Sequence, residues 1–441
     1  MLKLCLALPV YYPIFGGGPL RFMRYQPGLR KRSVYTRILA GTARSKDDLH
    51  PAQTRDALVH DDVSIGSMLP IEDVEGAPVH RVRLPESTGM RRTSAYFRSL
   101  IALCQDPNTR PDVIQFHSFE RLESLFWLSR LRQLGFPILY AIQIARPARH
   151  GSLVTRRLKR SMQRAFYGLF DGVVTNSQAI SDYLGSLGVR APIAVIPNGV
   201  DLDRFRPCQD AAARARARHS LGVMGSGPIV LSVGAISPRK GSDLLIQAWI
   251  KLLDRHPDVE LVLVGPRHDQ RNSNLRRFDS RLRALIADSP HPDRVHFAGV
   301  RDDMNDVYAA ADIVVLASSR EGMPNVVFEA MACERPVLLT PFEGQSDAIG
   351  RSGIEFEQSE RSSAALATHL AALFDDRDRC DDLVRHGKRW VTRHLDLERS
   401  LDRYADLYHQ AAAGTLRATQ SRGVQADLST AKGSPTRVES T

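Results

Sequence analysis

Short apolar runs alternate with amphipathic helical stretches along the whole chain. LKLCLAL (2–8), SVYTRILA (33–40), PDVIQFH (111–117), PILYAIQ (137–143), DGVVTNS (171–177) and PIAVIPN (192–198) have the length and the β-branched or Leu-rich content of strands. PIVLSVG (228–234), VELVLVG (259–265), RVHFAG (294–299), ADIVVLAS (311–318) and RPVLLTP (335–341) repeat the pattern further on. Most are apolar throughout rather than at alternate positions, the mark of strands covered on both faces. Helical patterns between them, such as 242–254 and 303–311, give repeated strand–helix units. The prediction is an α/β protein with two parallel, doubly wound sheets.

The boundary falls near VIPNGVDLDRFRP (195–207), where Pro-Asn-Gly is a turn signal. This divides the chain into domains of 1–200 and 201–395. LDLERSLDRYADLYHQAAAG (395–414) reads as a helix with Gly414 just beyond it. That helix, 396–413, is expected to return to the N-terminal domain. Residues 414–441 are polar and aperiodic, and are expected to be disordered.

A chain of 441 residues has room for two full cores and short extras. Its five scattered cysteines argue against a disulfide framework or a structural zinc site, and fit a reducing cytosol. Charge is distributed unevenly. Residues 1–200 carry 27 basic and 15 acidic side chains, against 33 and 34 in the remainder. A basic front half suits an anionic partner: a membrane surface, a phosphorylated acceptor or nucleic acid. No DNA- or RNA-reading signature accompanies it, so nucleic acid is not expected. The N-terminal run is interrupted by Pro9 and Pro13, and reads as a buried strand entering the Gly16-Gly17-Gly18 loop rather than as a signal peptide. No stretch approaches the roughly 18 to 20 apolar residues of a membrane span.

The candidate chemistry centres on REGMPNVVFEAMACERPV (320–337), where Glu321 and Glu329 flank a Gly-Met-Pro-Asn break. Glu321 falls on a loop after a strand, and Glu329 in the first turns of a helix that starts near Asn325. Free amides from Gly322 through Met323, Pro324 and Asn325 to Val326 (proline lacking one) would mark a helix N-terminus, which attracts anions. A carboxylate on each side could accept paired sugar hydroxyls. A surface glutamate and a loop charge would share the same spacing. In VLSVGAISPRKG (230–241), Arg239 and Lys240 follow a buried strand at the edge where open α/β sheets bind ligands. Gly234 and Gly265 end strands and permit close approach to a ligand, as do Gly17 and Gly18 in the first half. That first loop lacks the G-x-G-x-x-G spacing of dinucleotide enzymes. His117 ends the strand PDVIQFH and is placed at the rim of the first sheet, as a catalytic candidate or a structural residue. H-E-x-x-H, G-x-S-x-G and C-x-x-C are absent. Asp201-Leu202-Asp203 lies in the interdomain linker, which discounts it as a metal-binding D-x-D.

Together, FDGVVTNSQAISDYL, VIPNGVDLDRF, VGAISPRKG, the segment VHFAGVRDDMNDVYAAADIVVLASSREGMPNVVFEAMACERPV and the N-terminal GGG loop resemble the retaining glycosyltransferases of family 4. The resemblance covers most of 1–413. It implies the GT-B fold, two Rossmann-like domains facing a central cleft, and transfer of a sugar from a nucleotide-diphosphate sugar with retention. By similarity Glu329 holds the donor ribose, Glu321 contacts the transferred sugar, and amides near Met323 to Val326 hold the diphosphate. Lys240 with Arg239 matches the phosphate-neutralising basic pair. Three positions depart from the family pattern: Ala235 where a basic residue is common, Gln143 where many members carry a histidine, and Glu334 where glycine is usual. The resemblance implies no metal or other cofactor, and an acceptor bound by the N-terminal domain. A lipid-linked or surface-polysaccharide intermediate is the expected acceptor. The basic amphipathic segment 151–170 would meet an anionic membrane at its cytoplasmic face. A soluble small-molecule acceptor, or an inactive nucleotide-sugar-binding protein, are the alternatives.

Overall fold

The computed structural model describes residues 1–9, 11, 17–42, 64–85, 89–120, 122–144, 152–208, 210–267, 273–342 and 354–416. The front half holds β1 (Leu2–Leu8), α1 (Gly17–Lys31), β2 (Val34–Gly41), β3 (Glu72–Val74), β4 (Ala77–Val82), α2 (Met90–Gln105), β5 (Val113–His117), α3 (Leu122–Gln133), β6 (Ile138–Ile142), α4 (Leu153–Tyr167), β7 (Gly172–Thr175), α5 (Gln178–Ser186) and β8 (Ile193–Val195). Its sheet runs β3-β4-β2-β1-β5-β6-β7-β8. Every pairing is parallel except β3 with β4, which form an antiparallel edge hairpin. The apolar runs did not reveal that hairpin.

The back half holds α6 (Ala211–Ser220), β9 (Ile229–Val233), α7 (Ser242–Leu252), β10 (Glu260–Val264), α8 (Ser273–Ala287), β11 (Val295–Gly299), α9 (Met304–Ala310), β12 (Ile313–Leu316), α10 (Asn325–Ala332), β13 (Val337–Leu339), β14 (Glu357–Gln358), α11 (Ser363–Asp375), α12 (Arg377–His394) and α13 (Leu397–Ala412). The parallel sheet here is β11-β10-β9-β12-β13-β14.

The continuous apolar runs are explained by cover on both faces. Leu4, Leu6 and Leu8 of β1 join one core with α1 and α13, while Cys5 and Ala7 join another. In β9, Ile229 and Leu231 face one core and Val230 the other. The chain crosses between halves twice, and the crossings pair: Val200 N–H donates to the Leu395 carbonyl at 2.6 Å, and Leu397 N–H to that of Val200 at 3.1 Å. A Cβ on Gly199 would lie 2.5 Å from the Leu397 Cα, so this approach requires glycine. Beyond the crossing, α13 packs Leu401, Tyr404 and Tyr408 into the β1 core. Tyr408 donates to Gln115 Oε1 at 3.0 Å. Of the segment expected to be disordered, residues 417–441 lie outside the described residues.

Candidate active site

The connections reverse direction between β1 and β5 in one sheet and between β9 and β12 in the other. Such switch points leave a crevice beyond the strand ends. Between the two sheets lies a cleft of about 520 Å³. Gly234 and Gly265, just past β9 and β10, line it. Both have φ 144°, and a Cβ on Gly265 would stand 2.0 Å from the Gly234 carbonyl oxygen. These glycines therefore bring bare backbone to the cleft wall.

Two loops at this edge brace each other. Ser237 caps a short 3-10 turn (Pro238–Lys240), and Gly241 takes φ 70° against the Ala317 carbonyl. Ser319 N–H donates to the Arg239 carbonyl at 2.8 Å. Consequently Lys240 Nζ stands 2.8 Å and Arg239 Nη1 3.0 Å from the same oxygen of Glu321, Oε1. Burial pushes the Glu321 carboxyl up, but Lys240, with Arg239 behind it, outweighs burial and holds it below its usual range.

The loop then turns into α10 with Pro324 as the N-cap residue, one position before the helix. Among the described residues no side chain caps this end, and Asn325 and Val326 of its first turn line the cleft. Glu329, one turn further on, is buried. Tyr308 donates to its Oε2 at 2.8 Å, and Arg24 Nη1 reaches Oε1 at 3.3 Å from α1 across the cleft. Burial, then the charge of Glu329, raises the Tyr308 phenol far above its ordinary value, so it remains a donor. The two halves also touch at the loop. A Cβ on Gly322 would lie 2.1 Å from the Gln143 carbonyl oxygen. Asn198 N–H contacts the Met323 sulfur at 3.1 Å, and its amide Nδ2 donates to Asn325 Oδ1 at 2.8 Å.

Glu321, Glu329, Arg239, Lys240, Gly234, Gly265 and Gly322 to Val326 thus share one cleft. His117 requires a correction, because it is not a rim residue and does not line the cleft. It is buried, its ring 4.4 Å from that of Phe22 and its Nε2 2.8 Å from Gln115 Nε2. Burial first, and then the Arg21 charge, pushes its pKa well below the ordinary value, leaving a neutral structural imidazole. The cleft position on that side belongs to Gln143, just past β6. Gly17 and Gly18 open α1, while Gly16 lies outside the described residues. Sequence reasoning missed Arg21, Arg24, Asn198 and Tyr308. The arginines three apart behind the triple glycine were a usable signal, since that spacing places both on one helix face. Among the described residues, no group of three or more His, Cys, Asp or Glu is placed to hold a metal ion. Nor is any described helix long and apolar enough to cross a membrane.

Residues 16–199 match the family described as Glycosyl transferase 4-like domain, and residues 227–376 match Glycosyl transferases group 1. The chain is 29% identical over 303 residues to the D-inositol 3-phosphate glycosyltransferase of Corynebacterium jeikeium (strain K411), spanning 64% of this chain and 69% of that protein. It is 26% identical over 317 residues to the lipopolysaccharide core biosynthesis mannosyltransferase LpsB of Rhizobium meliloti (strain 1021), spanning 71% and 84%. The crystal structure of Anabaena HepE in complex with UDP and glucose superposes with a TM-score of 0.69 at 19% identity, over 92% of this chain and 99% of that one. At that identity the likeness concerns the fold.

Proposed function

The chain belongs to the GT-B glycosyltransferases of the family 4 type, and we propose that it moves a hexose from a nucleotide-diphosphate sugar to its acceptor with retention at the anomeric carbon. One observation carries this reading: two carboxylates, Glu321 and Glu329, flank the uncapped amino end of α10 at a sheet's switch point. Glu329, already oriented by Tyr308, holds the ribose hydroxyls once Arg24 yields its place. Glu321 accepts from hydroxyls of the transferred sugar. The diphosphate lies between them, against the α10 amides and the bare backbone at Gly234 and Gly265. The bond from the anomeric carbon to the diphosphate oxygen breaks as the bond to the acceptor oxygen forms on the same face. The acceptor's proton passes to the departing phosphate oxygen. Lys240, with Arg239, opposes the negative charge that develops there, which is the term such a site needs most. Protein groups then do the work of a metal, and none is required.

The acceptor is read as lipid-linked or part of a surface polysaccharide, met at the cytoplasmic face of a membrane. Supporting this, α4 leaves Leu153, Val154 and Leu158 at 68%, 74% and 61% exposure beside Arg156, Arg157, Lys159 and Arg160. The name of the lipopolysaccharide core relative supports it too. A soluble phosphorylated acceptor is the second reading, favoured by the name of the inositol phosphate relative.

A panel of UDP-, GDP- and ADP-sugars, scored by thermal unfolding with and without EDTA, tests the proposal. A matching donor at a hundredfold excess over its Kd stabilises by about 2.7 kcal/mol. The shift should survive EDTA and vanish in Glu329→Ala. Failure of every donor to stabilise the wild type would sink the reading.

A further inference from the structure

Among the described residues, five cationic side chains line the cleft, and four of them are committed to carboxylates: Arg24 to Glu329, Arg239 and Lys240 to Glu321, and Arg301 to Asp303. The fifth, Arg21 on α1, is only 5% exposed. Its guanidinium lies 4.7 Å from the Phe22 ring centroid and 5.7 Å from that of Tyr25. Nη1 donates to Asn198 Oδ1. Among the described residues, Nε and Nη2 have no hydrogen-bond partner.

A guanidinium cannot shed its charge by titrating. Buried without a counter-charge it is costly, and cation–π contacts with two rings return only part of that cost. The two unpartnered nitrogens form one edge of the guanidinium. Their N–H groups run parallel, the arrangement that takes two oxygens of a phosphate side-on. Asn198 connects Arg21 to the site, since its Oδ1 accepts from Arg21 Nη1 and its Nδ2 donates to Asn325, the first residue of α10. Arg21 thus belongs to the cleft lining on the wall opposite Lys240, with its Nε–Nη2 edge buried just behind that lining.

We propose that Arg21 is an oxyanion-binding residue of the substrate site, gripping a phosphate group through Nε–H and Nη2–H. The phosphate comes either from the diphosphate of the donor or from a phosphorylated acceptor. For the donor source, the inference rests on the nucleotide-sugar reading above.

The test is calorimetric titration of the full chain at low salt with inorganic phosphate, and separately with UDP and GDP. Wild type, Arg21→Lys and Arg21→Gln are compared. Arg21→Gln should bind phosphate at least tenfold more weakly, and Arg21→Lys should fall between, keeping the charge but losing the fork. A parallel loss of nucleotide affinity assigns the donor diphosphate. Unchanged nucleotide affinity, with Arg21-dependent phosphate binding to the UDP- or GDP-saturated protein, assigns an acceptor phosphate. If the wild type binds phosphate through Arg21 but no nucleotide, the donor reading fails and this one stands. Ligand-free Arg21→Gln should melt no lower than wild type, because a buried charge without counter-ion has been removed. Phosphate affinity unchanged in Arg21→Gln overturns the proposal, as does a wild type that binds no phosphate with or without nucleotide. A lowered ligand-free melting temperature with unchanged phosphate affinity would make Arg21 a brace of the fold only.

Discussion

Glu321 stays ionised because Lys240 and Arg239 together outweigh its burial. The sign of its pH dependence follows. With its folded pKa depressed, its ion pairing stabilises the protein above the unfolded value of about 4.3, and that contribution is lost as pH falls through the folded value. Removing Lys240 removes the largest of the influences that lower the pKa, and burial then pushes Glu321 up. In Lys240→Met the acidic limb of the kcat/KM profile should therefore move to higher pH, beyond any general loss of rate. An unmoved limb would show that Glu321 does not govern it. The cleft positions of Glu321, Glu329 and Lys240 were legible in the sequence because each lies on a loop or helix start that directly follows a strand. Arg24 and Tyr308, the partners of Glu329, were not. Arg24 lies 305 residues away from it, and no local pattern encodes that meeting.

The helix α10 shows what an element's two ends contribute. Its amino end has no side-chain cap among the described residues. Its carboxyl end is closed by Glu334 N–H to the Met331 carbonyl and Arg335 N–H to that of Ala330, at 3.1 and 2.9 Å. This pattern wants glycine at its left-handed position. Here Glu334 holds φ 57° instead. A left-handed non-glycine residue costs about 1 kcal/mol. Glu334→Gly should stabilise by a comparable amount in urea unfolding and leave donor binding unchanged. A destabilised variant would mean that the glutamate side chain does more than tolerate the turn. Elements missed in the sequence were short or polar. Of the edge pair, β3 has three residues, and β4 buries Arg81 against Glu72 at 3.1 Å, which masks its apolar period. In β14 there are only two residues.

At the scale of the whole molecule, the excess positive charge lies in the half that also carries α4, whose Leu153, Val154 and Leu158 are exposed while Phe166 and Tyr167 anchor its far end in the core. Sedimentation with phosphatidylglycerol vesicles should therefore be strong at low salt and fall steeply as salt rises. With about 1 kcal/mol per basic residue near an anionic surface, replacing Arg156, Arg157 and Lys159 by Ser should weaken binding by about a hundredfold. Equal binding by that variant would remove α4 from the interface. The amino-acid sequence alone determined the strand–helix alternation, the two parallel sheets and the carboxylate pair around a helix start. Each is written in neighbouring residues, through continuous apolar runs, a proline-containing break or a strand-ending glycine. Tertiary structure alone decided that His117 is sealed beneath Phe22 while Gln143 reaches the cleft, that α13 closes over β1, and that Arg21 and Arg24 face α10 from the other wall. A local pattern reports that a face is covered. It does not report what covers it, because that depends on contacts between residues hundreds of positions apart.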